Sequence, residues 1–425
     1  MGILNGGPRW QRPAAQRAAL IRTLSDRLVE AQRPIRILDA VKWTDVVEQQ
    51  FLAARGRELP CITPDSYRPL PFATELKRAE FAEIESEVGR LLGPADPAGR
   101  ILTRMCREYR AAIDMLEHRG SRRFGELSQQ LYGSATETIG EGDVTLLDVA
   151  RHLPAQFARQ HAASDEQPEI GARQAVGILA DRLRTYFQEP GRVRVRLSDG
   201  IVADAAAGCD YIKLRGDAIF TERDLRVLEV HEGWVHLGTT LNGQAQPVCT
   251  FLGKGPPSST ITQEGLAVLV ELVTQAAHPA RLRRVANRVE AVALAEAGAD
   301  FRVVYRFFLE RGCPERESYQ QTMRVFRGGL PADGLPFTKD ICYLKGLLLV
   351  WRHIRSALRR GDTAGAAMLF CGKATVGDAA TLAELLDEGL VARPRFVPSQ
   401  FGQPQQWTPA EPSLVLRPFM ACGLV

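Results

Sequence analysis

From about Ile21 to residue 160, apolar positions recur at helical steps. Phe81, Ile84, Val88 and Leu91 stand 3, 4 and 3 residues apart, which places them on one helix face. Gly93-Pro-Ala-Asp-Pro-Ala-Gly99 then interrupts the pattern. Residues 1–19, with Gly6, Gly7, Pro8 and Pro13 among arginines, read as a loose tail, and the polar stretch Ala162 to Gly171 reads as a surface connection. Beyond it the period changes. Arg192 to Leu197 alternates basic and apolar residues, as a half-buried strand does, and Ser198-Asp199-Gly200 supplies a turn before a further strand at Ile201-Val202-Ala203. Another short strand is predicted at Asp210-Tyr-Ile-Lys-Leu-Arg215. Helices resume with the stripes Leu282, Val285, Val289, Val292 and Ile341, Leu344, Leu348, Trp351. Pro394, Pro398, Pro404, Pro409 and Pro412 mark the last thirty residues as an extended strap.

Composition narrows the class. The 425 residues suit two or three packed units, and 45% apolar with 24% charged residues is ordinary for a globular protein. A formal net charge of +4 is too small a bias to indicate a nucleic-acid partner. The longest apolar run, Leu347 to Trp351, is far too short to cross a bilayer, and the N-terminus has no apolar core of signal-peptide length. Eight cysteines without a CxxC pair read as free buried thiols. A soluble, cytoplasmic chain without nucleic-acid or membrane partners is expected.

The informative stretch is Thr221 to Gly243. Thr221 with Asp224 is a capping pattern and Asn242-Gly243 offers a stop, so a helix is bounded at both ends. Inside it lies His231-Glu232-Gly-Trp-Val-His236. In the zinc-hydrolase signature HExxH, four residues turn about 400° and aim both imidazoles at one metal. Here the separation is five, about 500°, which leaves the rings roughly 140° apart on a regular helix. A π-bulge absorbing one residue restores their alignment, and Gly233 is the residue expected to ease the distortion. From this chain's own frequencies the pattern is expected by chance at most about 0.01 times, so two unrelated surface histidines explain it poorly.

A third ligand is offered by Gly255-Pro-Pro-Ser-Ser-Thr-Ile-Thr-Gln-Glu-Gly-Leu-Ala267. Thr260 with Gln263 reads as a capping box, which puts Glu264 in the first turn of a new helix, and Gly265 lets two helices approach closely. Two His and one Glu form a known zinc set, with Zn2+ the expected cofactor, although Mn, Co or Ni would also fit. Glu232, directly after the first ligand, is placed to act as general base toward the water that the metal activates.

These motifs, with Phe337-Thr-Lys-Asp-Ile-Cys-Tyr343, resemble the bacterial QEGLA-motif proteins, relatives of the microtubule-associated tyrosine carboxypeptidases. The resemblance runs from about Ile35 to Ser356 and is sharpest from Tyr211 to Tyr343. It implies zinc on His231, His236 and Glu264 with Glu232 catalytic, and a carboxypeptidase-like activity whose substrate need not be that of the eukaryotic relatives.

A carboxypeptidase must bind a terminal carboxylate, for which paired N–H donors serve best. Lys213 and Arg215 on the strand before the metal helix, and Arg324, Arg327 and Lys339 further on, are the candidates; the resemblance favours the last three. Tyr343 or Tyr305 could donate to the oxyanion. The strand Tyr211 to Arg215 could be an edge that aligns an extended peptide. Trp234 is expected to pack beneath the bulge.

The expected fold is therefore α+β and mainly helical: the tail, a helical region over 20–171, a zincin-like catalytic core with a small twisted sheet over 172–360, and a helical and proline-rich strap over 361–425. The expected function is zinc-dependent cleavage of a peptide or protein C-terminus. The alternatives are an endopeptidase or amidase that matures a small peptide, and a non-enzymatic metal-binding regulator.

Overall fold

The structure is a computed structural model that describes residues 13–402 apart from 141–142, 159–166, 168, 190, 200, 202–203 and 333–334. Helix α1 (Ala14–Gln32) takes up residues 14–19 of the predicted tail, because Ile21, Leu24 and Leu28 give it a fully buried face. It packs with α2 (Thr74–Leu91), α3 (Pro97–Glu117) and α4 (Arg122–Tyr132) around Phe81, Ile84, Met105 and Phe124. The inward stripe of α2 ends on Leu92 rather than Leu91, which is only half-buried. The predicted interruption after it is brief. Asp96 accepts the Gly99 N–H at 2.9 Å and Pro97 opens α3, so the chain re-enters a helix at once.

After α5 (Leu146–Ala158), most of the predicted surface connection lies outside the described residues, but its end, Ile170–Gly171, forms strand β1. Helix α6 (Ala172–Phe187) follows, and then β2 (Arg194–Ser198), β3 (Ala205–Ala207), β4 (Tyr211–Arg215) and β5 (Ile219–Phe220). The sheet departs from the expected hairpin. Its order is β2-β4-β3, with β2 parallel and β3 antiparallel to β4, while β5 pairs with β1. Of the predicted strand Ile201-Val202-Ala203 only Ile201 is described, and it lies outside the sheet. Strand β4 is central because Ile212 and Leu214 are fully buried against Leu179 and Leu183 of α6. The edges of this sheet are therefore β2 and β3, not β4.

Helix α7, which carries the His231–His236 motif, spans 222–244 in three parts: Glu222–Leu228, a π-helical Glu229–Leu237, and Gly238–Gln244. Helix α8 (Ser259–Val273) lies behind it, and every residue from Thr262 to Leu272 is buried. A helix that is apolar all round belongs in the middle of a fold, which is where α8 lies. Around it stand α9 (Pro279–Glu296), α10 (Phe301–Glu310), α11 (Glu315–Phe326) and α12 (Cys342–Arg359). Both stripes read from the sequence, Leu282 to Val292 on α9 and Ile341 to Trp351 at α12, are buried. Helices α8 and α12 cross at Gly265 and Gly346, where a Cβ on Gly265 would lie 1.9 Å from the Gly346 carbonyl carbon. No other residue type permits that approach.

The segment around Pro394 and Pro398 has no regular structure, but Ser399–Gly402 then turns into a short helix that the strap did not anticipate, and Pro404, Pro409 and Pro412 lie outside the described residues. The seven cysteines among the described residues are unpaired, and no helix there is long and apolar enough to cross a membrane.

Candidate metal centre

Thr221 opens α7 with a full capping box: its hydroxyl accepts the Asp224 N–H at 2.9 Å, and the Asp224 carboxylate accepts the Thr221 N–H at 3.0 Å. At the other end Asn242-Gly243 is not the stop. The helix runs to Gln244, and Asn242 is buried, with its amide donating to the carbonyls of Phe370 and Phe396.

The middle of the helix winds as π over Glu229–Leu237, and the two rings converge as that winding requires, with centroids 4.7 Å apart. Gly233 contributes differently from the expectation. Its φ is not positive; what it supplies is clearance, since a Cβ there would lie 2.3 Å from Leu183 Cδ2 of α6. Trp234 points to the same side and stacks on Tyr186 at 4.9 Å, beneath the bulge as predicted. A π-turn leaves carbonyls without their usual helical donors. His236 O is served by Lys373 Nζ at 2.8 Å and Thr240 Oγ1 at 2.7 Å. Lys373 also donates to Gln263 Oε1 at 2.9 Å, which ties α7 to α8, and burial pushes its pKa down to about 7. Gln263 is occupied in this way and α8 starts at Ser259 without a side-chain cap, so the predicted Thr260–Gln263 capping box does not form. Glu264 consequently sits in the second turn of α8, not the first.

Glu264 Oε2 lies 3.3 Å from His231 Nε2 and 3.5 Å from His236 Nε2. Donors held at about 2.0–2.1 Å by one tetrahedral ion stand about 3.3–3.4 Å apart, so these three groups have the spacing of ligands around a common centre. His231, Glu232 and His236 also present ligand atoms within 4.8 Å of one another. Of His231, His236 and Glu264, two are held from behind. His231 Nδ1 meets Glu271 Oε1 at 2.6 Å, which directs Nε2 toward Glu264. Glu271 is completely buried and is gripped in turn by Arg281, at 2.9 and 3.0 Å. Lys339 Nζ stands 3.4 Å from the second oxygen of Glu264.

The electrostatics follow from this packing. Burial opposes ionisation of Glu271, but the charge of Arg281 and the His231 hydrogen bond outweigh it and hold the carboxyl at about 2. Burial likewise disfavours a charged Glu264, yet Lys339 and the two histidines keep it well below the usual carboxylate range. For His231, burial is overcome by its hydrogen bonds to Glu264 and Glu271, which lift its pKa to about 10; burial keeps His236 below its ordinary value. Two carboxylates crowding one imidazole favour a cation at that point, and a metal ion would take the place of the proton.

Glu232 is half-buried. Its Oε2 accepts the Ala207 N–H of β3 at 2.8 Å, so the sheet edge fixes the carboxylate beside the two imidazoles. A cleft of about 430 Å3 opens over His231 and Glu232. Through Arg215, Arg316 and Gln320 it joins a second hollow of about 520 Å3 walled by residues from Lys42 to Leu52.

The other expected groups are distributed unevenly. Arg215, Arg324 and Tyr343 line the cleft. Arg324 is committed to Asp340 by two bonds of 2.6 and 2.8 Å, and Arg215 pairs with Asp204 and Asp217. Tyr343 faces His231, ring to ring at 6.2 Å. Lys339 lies against Glu264, and Arg327 is buried over the Phe337 ring at 5.7 Å. Lys213 points along Tyr211 on β4 and does not line the cleft. Tyr305 is a core residue packed edge-on to Phe51 at 4.9 Å. The sequence reading did not include Glu271, Lys373, Arg281 and Arg288. For Glu271 the signal was present as a second acid, seven residues after Glu264, in an otherwise apolar helix. For the arginines it was the 281, 284, 288 spacing, one stripe of α9.

Two histidines on a π-wound helix converging with a Glu of the helix packed behind it, with a second carboxylate beside them in a cleft, form an arrangement that enzymes use to bind a metal ion and cleave peptides. The comparison with protein families agrees: the profile described as microtubule-associated tyrosine carboxypeptidase matches residues 49–412, and the chain belongs to that family. No curated protein matches the chain.

Proposed function

We propose that the protein is a zinc-dependent carboxypeptidase with a zincin-like core, acting at the C-terminus of a peptide or protein. Family membership supports a peptidase of the carboxypeptidase kind. The observation that carries the metal reading is the convergence of His231, His236 and Glu264 at 3.3 and 3.5 Å, with His231 Nδ1 held by a buried carboxylate. Zinc held by these three residues would polarise the scissile carbonyl and acidify the attacking water.

The chain's own residues do the rest. Glu232, oriented by the Ala207 N–H, removes the proton from the attacking water as its oxygen bonds to the carbonyl carbon. When the C–N bond breaks, the same carboxyl delivers that proton to the leaving amine. Tyr343, beside His231, offers a hydroxyl to the oxygen that gains negative charge. The β3 edge, apart from the Ala207 N–H that Glu232 takes, aligns the extended substrate by main-chain hydrogen bonds.

The test is digestion of a peptide library read by mass spectrometry, with zinc content measured in parallel. Glu232→Gln should retain zinc and lose about 10²- to 10⁴-fold in rate. His231→Ala should lose both. Cleavage that survives Glu232→Gln undiminished, or a protein that takes up no zinc, overturns the reading.

A further inference from the structure

The cleft carries six arginines: Arg215, Arg281, Arg284, Arg288, Arg316 and Arg324. Five have a carboxylate partner. Arg281 has Glu271, Arg324 has Asp340, Arg316 has Glu48 and Asp217, Arg215 has Asp204 and Asp217, and Arg284 stands 3.8 Å from Asp224. Among the described residues Arg288 has no ion pair, and its Nε and Nη1 are buried without a hydrogen-bond partner. Its guanidinium carbon stands 4.4 Å from the centre of the Tyr343 ring, a cation–π contact that braces the side chain.

A buried, rigid guanidinium without an acceptor is unfavourable unless a ligand supplies one. Each forked edge of the group joins one of the orphaned atoms to Nη2, so a carboxylate meeting either edge receives two parallel N–H donors. The reach is also suitable. Arg288 is 4.4 Å from the Tyr343 ring and that ring is 6.2 Å from His231, so guanidinium and imidazole are at most about 11 Å apart. One extended residue advances a chain by about 3.3–3.6 Å, and the ion pair and the reacting carbonyl occupy most of the remainder. That ceiling leaves room for one residue between the scissile bond and the chain end.

Resting on the carboxypeptidase reading above, we propose that Arg288, braced by Tyr343, binds the terminal carboxylate of the substrate and so sets cleavage one residue from the end. Arg324 and Lys339, already held by Asp340 and Glu264, keep that pocket in shape.

The experiment titrates zinc-loaded Glu232→Gln protein by calorimetry with an N-acetylated pentapeptide as the free acid and as the C-terminal amide. The free acid should bind about 10- to 100-fold more tightly. In the Glu232→Gln, Arg288→Gln double variant that preference should fall below about twofold, and Arg288→Lys should restore part of it, since an ammonium lacks the fork. Zinc content and thermal melting report whether each variant is folded; should the Gln variant fail to fold, Arg288→Lys carries the comparison. Equal binding of acid and amide, no binding of either, or a preference that survives loss of Arg288 overturns the proposal. The outcomes separate the two readings. An intact acid preference in a wild-type protein that cleaves nothing defeats the peptidase and leaves the anchor; internal cleavage with no acid preference defeats the anchor alone.

Discussion

Replacing Gly265 with Ala tests whether the crossing of α8 and α12 sets the position of Glu264. The added Cβ would lie 1.9 Å from the Gly346 carbonyl carbon and 2.4 Å from its Cα, both main-chain atoms that no rotamer change can clear. Carbon atoms reach favourable contact only near about 3.5 Å, so the helices must part by roughly 1.5 Å or α8 must rotate. Overpacking of this kind costs about 1–3 kcal/mol and sometimes more, and an obstacle made of backbone argues for about 3 kcal/mol. Glu264 is the preceding residue, and its contacts at 3.3 and 3.5 Å leave no slack for a displacement on that scale. Zinc affinity should therefore fall by at least about tenfold. Urea unfolding and a zinc competition titration measure the two effects. Gly177→Ala in α6 is the control: nothing lies within 4 Å of the added methyl, and the change should be neutral or stabilising by up to about 1 kcal/mol. A Gly265→Ala protein as stable as the control, with unchanged zinc affinity, would refute the argument.

Three further outcomes are expected. Glu271→Gln removes the charge behind His231 and should weaken zinc binding by about 10- to 100-fold, read by the same titration. In the metal-free protein Glu271 sits at about 2 against an ordinary 4.5, so the folded state binds fewer protons than the unfolded one between those values. Its contribution, roughly 3 kcal/mol, is present above pH about 4.5 and is lost as pH falls toward about 2; urea curves across that window should be flatter for Glu271→Gln than for wild type. Lys373→Met strips donors from His236 O and Gln263 Oε1 and should destabilise by about 1–3 kcal/mol in urea, while a change under about 0.5 kcal/mol would show that the π-turn does not need it.

The sequence carried the chemistry of the centre more clearly than the sheet that frames it. The five-residue spacing of His231 and His236 demanded a π-turn, and one is present, because the winding of a helix is a local property that a pattern of residues can reveal. The stripes on α9 and α12 were legible for the same reason. Partners distant in sequence were not. Alternation in Arg192 to Leu197 announces a strand but not its neighbour, so the parallel pairing with β4 and the exposed edge at β3 could not be read. Local signals also lost to tertiary demands. Gln263 has the spacing of a capping residue but turns inward to Thr239 and Lys373, and Asn242-Gly243 resembles a helix stop but is a buried junction. Gly233 follows the same rule, since its bare Cα answers to Leu183 of another helix and not to its own backbone angles.

Asn242 bears on how the chain matures. Its side chain accepts the N–H groups of Arg395 and Phe396 and donates to the carbonyls of Phe370 and Phe396, all at 2.8 or 2.9 Å. All three proposed zinc ligands are translated more than a hundred residues before these partners. A nascent polypeptide leaving the ribosome thus holds every ligand while the last turn of the helix that bears two of them still has an unsatisfied amide. Tight loading with a metal would accordingly be a late event in biosynthesis, and a prematurely terminated product ending before residue 370 would carry the complete motif without the splint that steadies it.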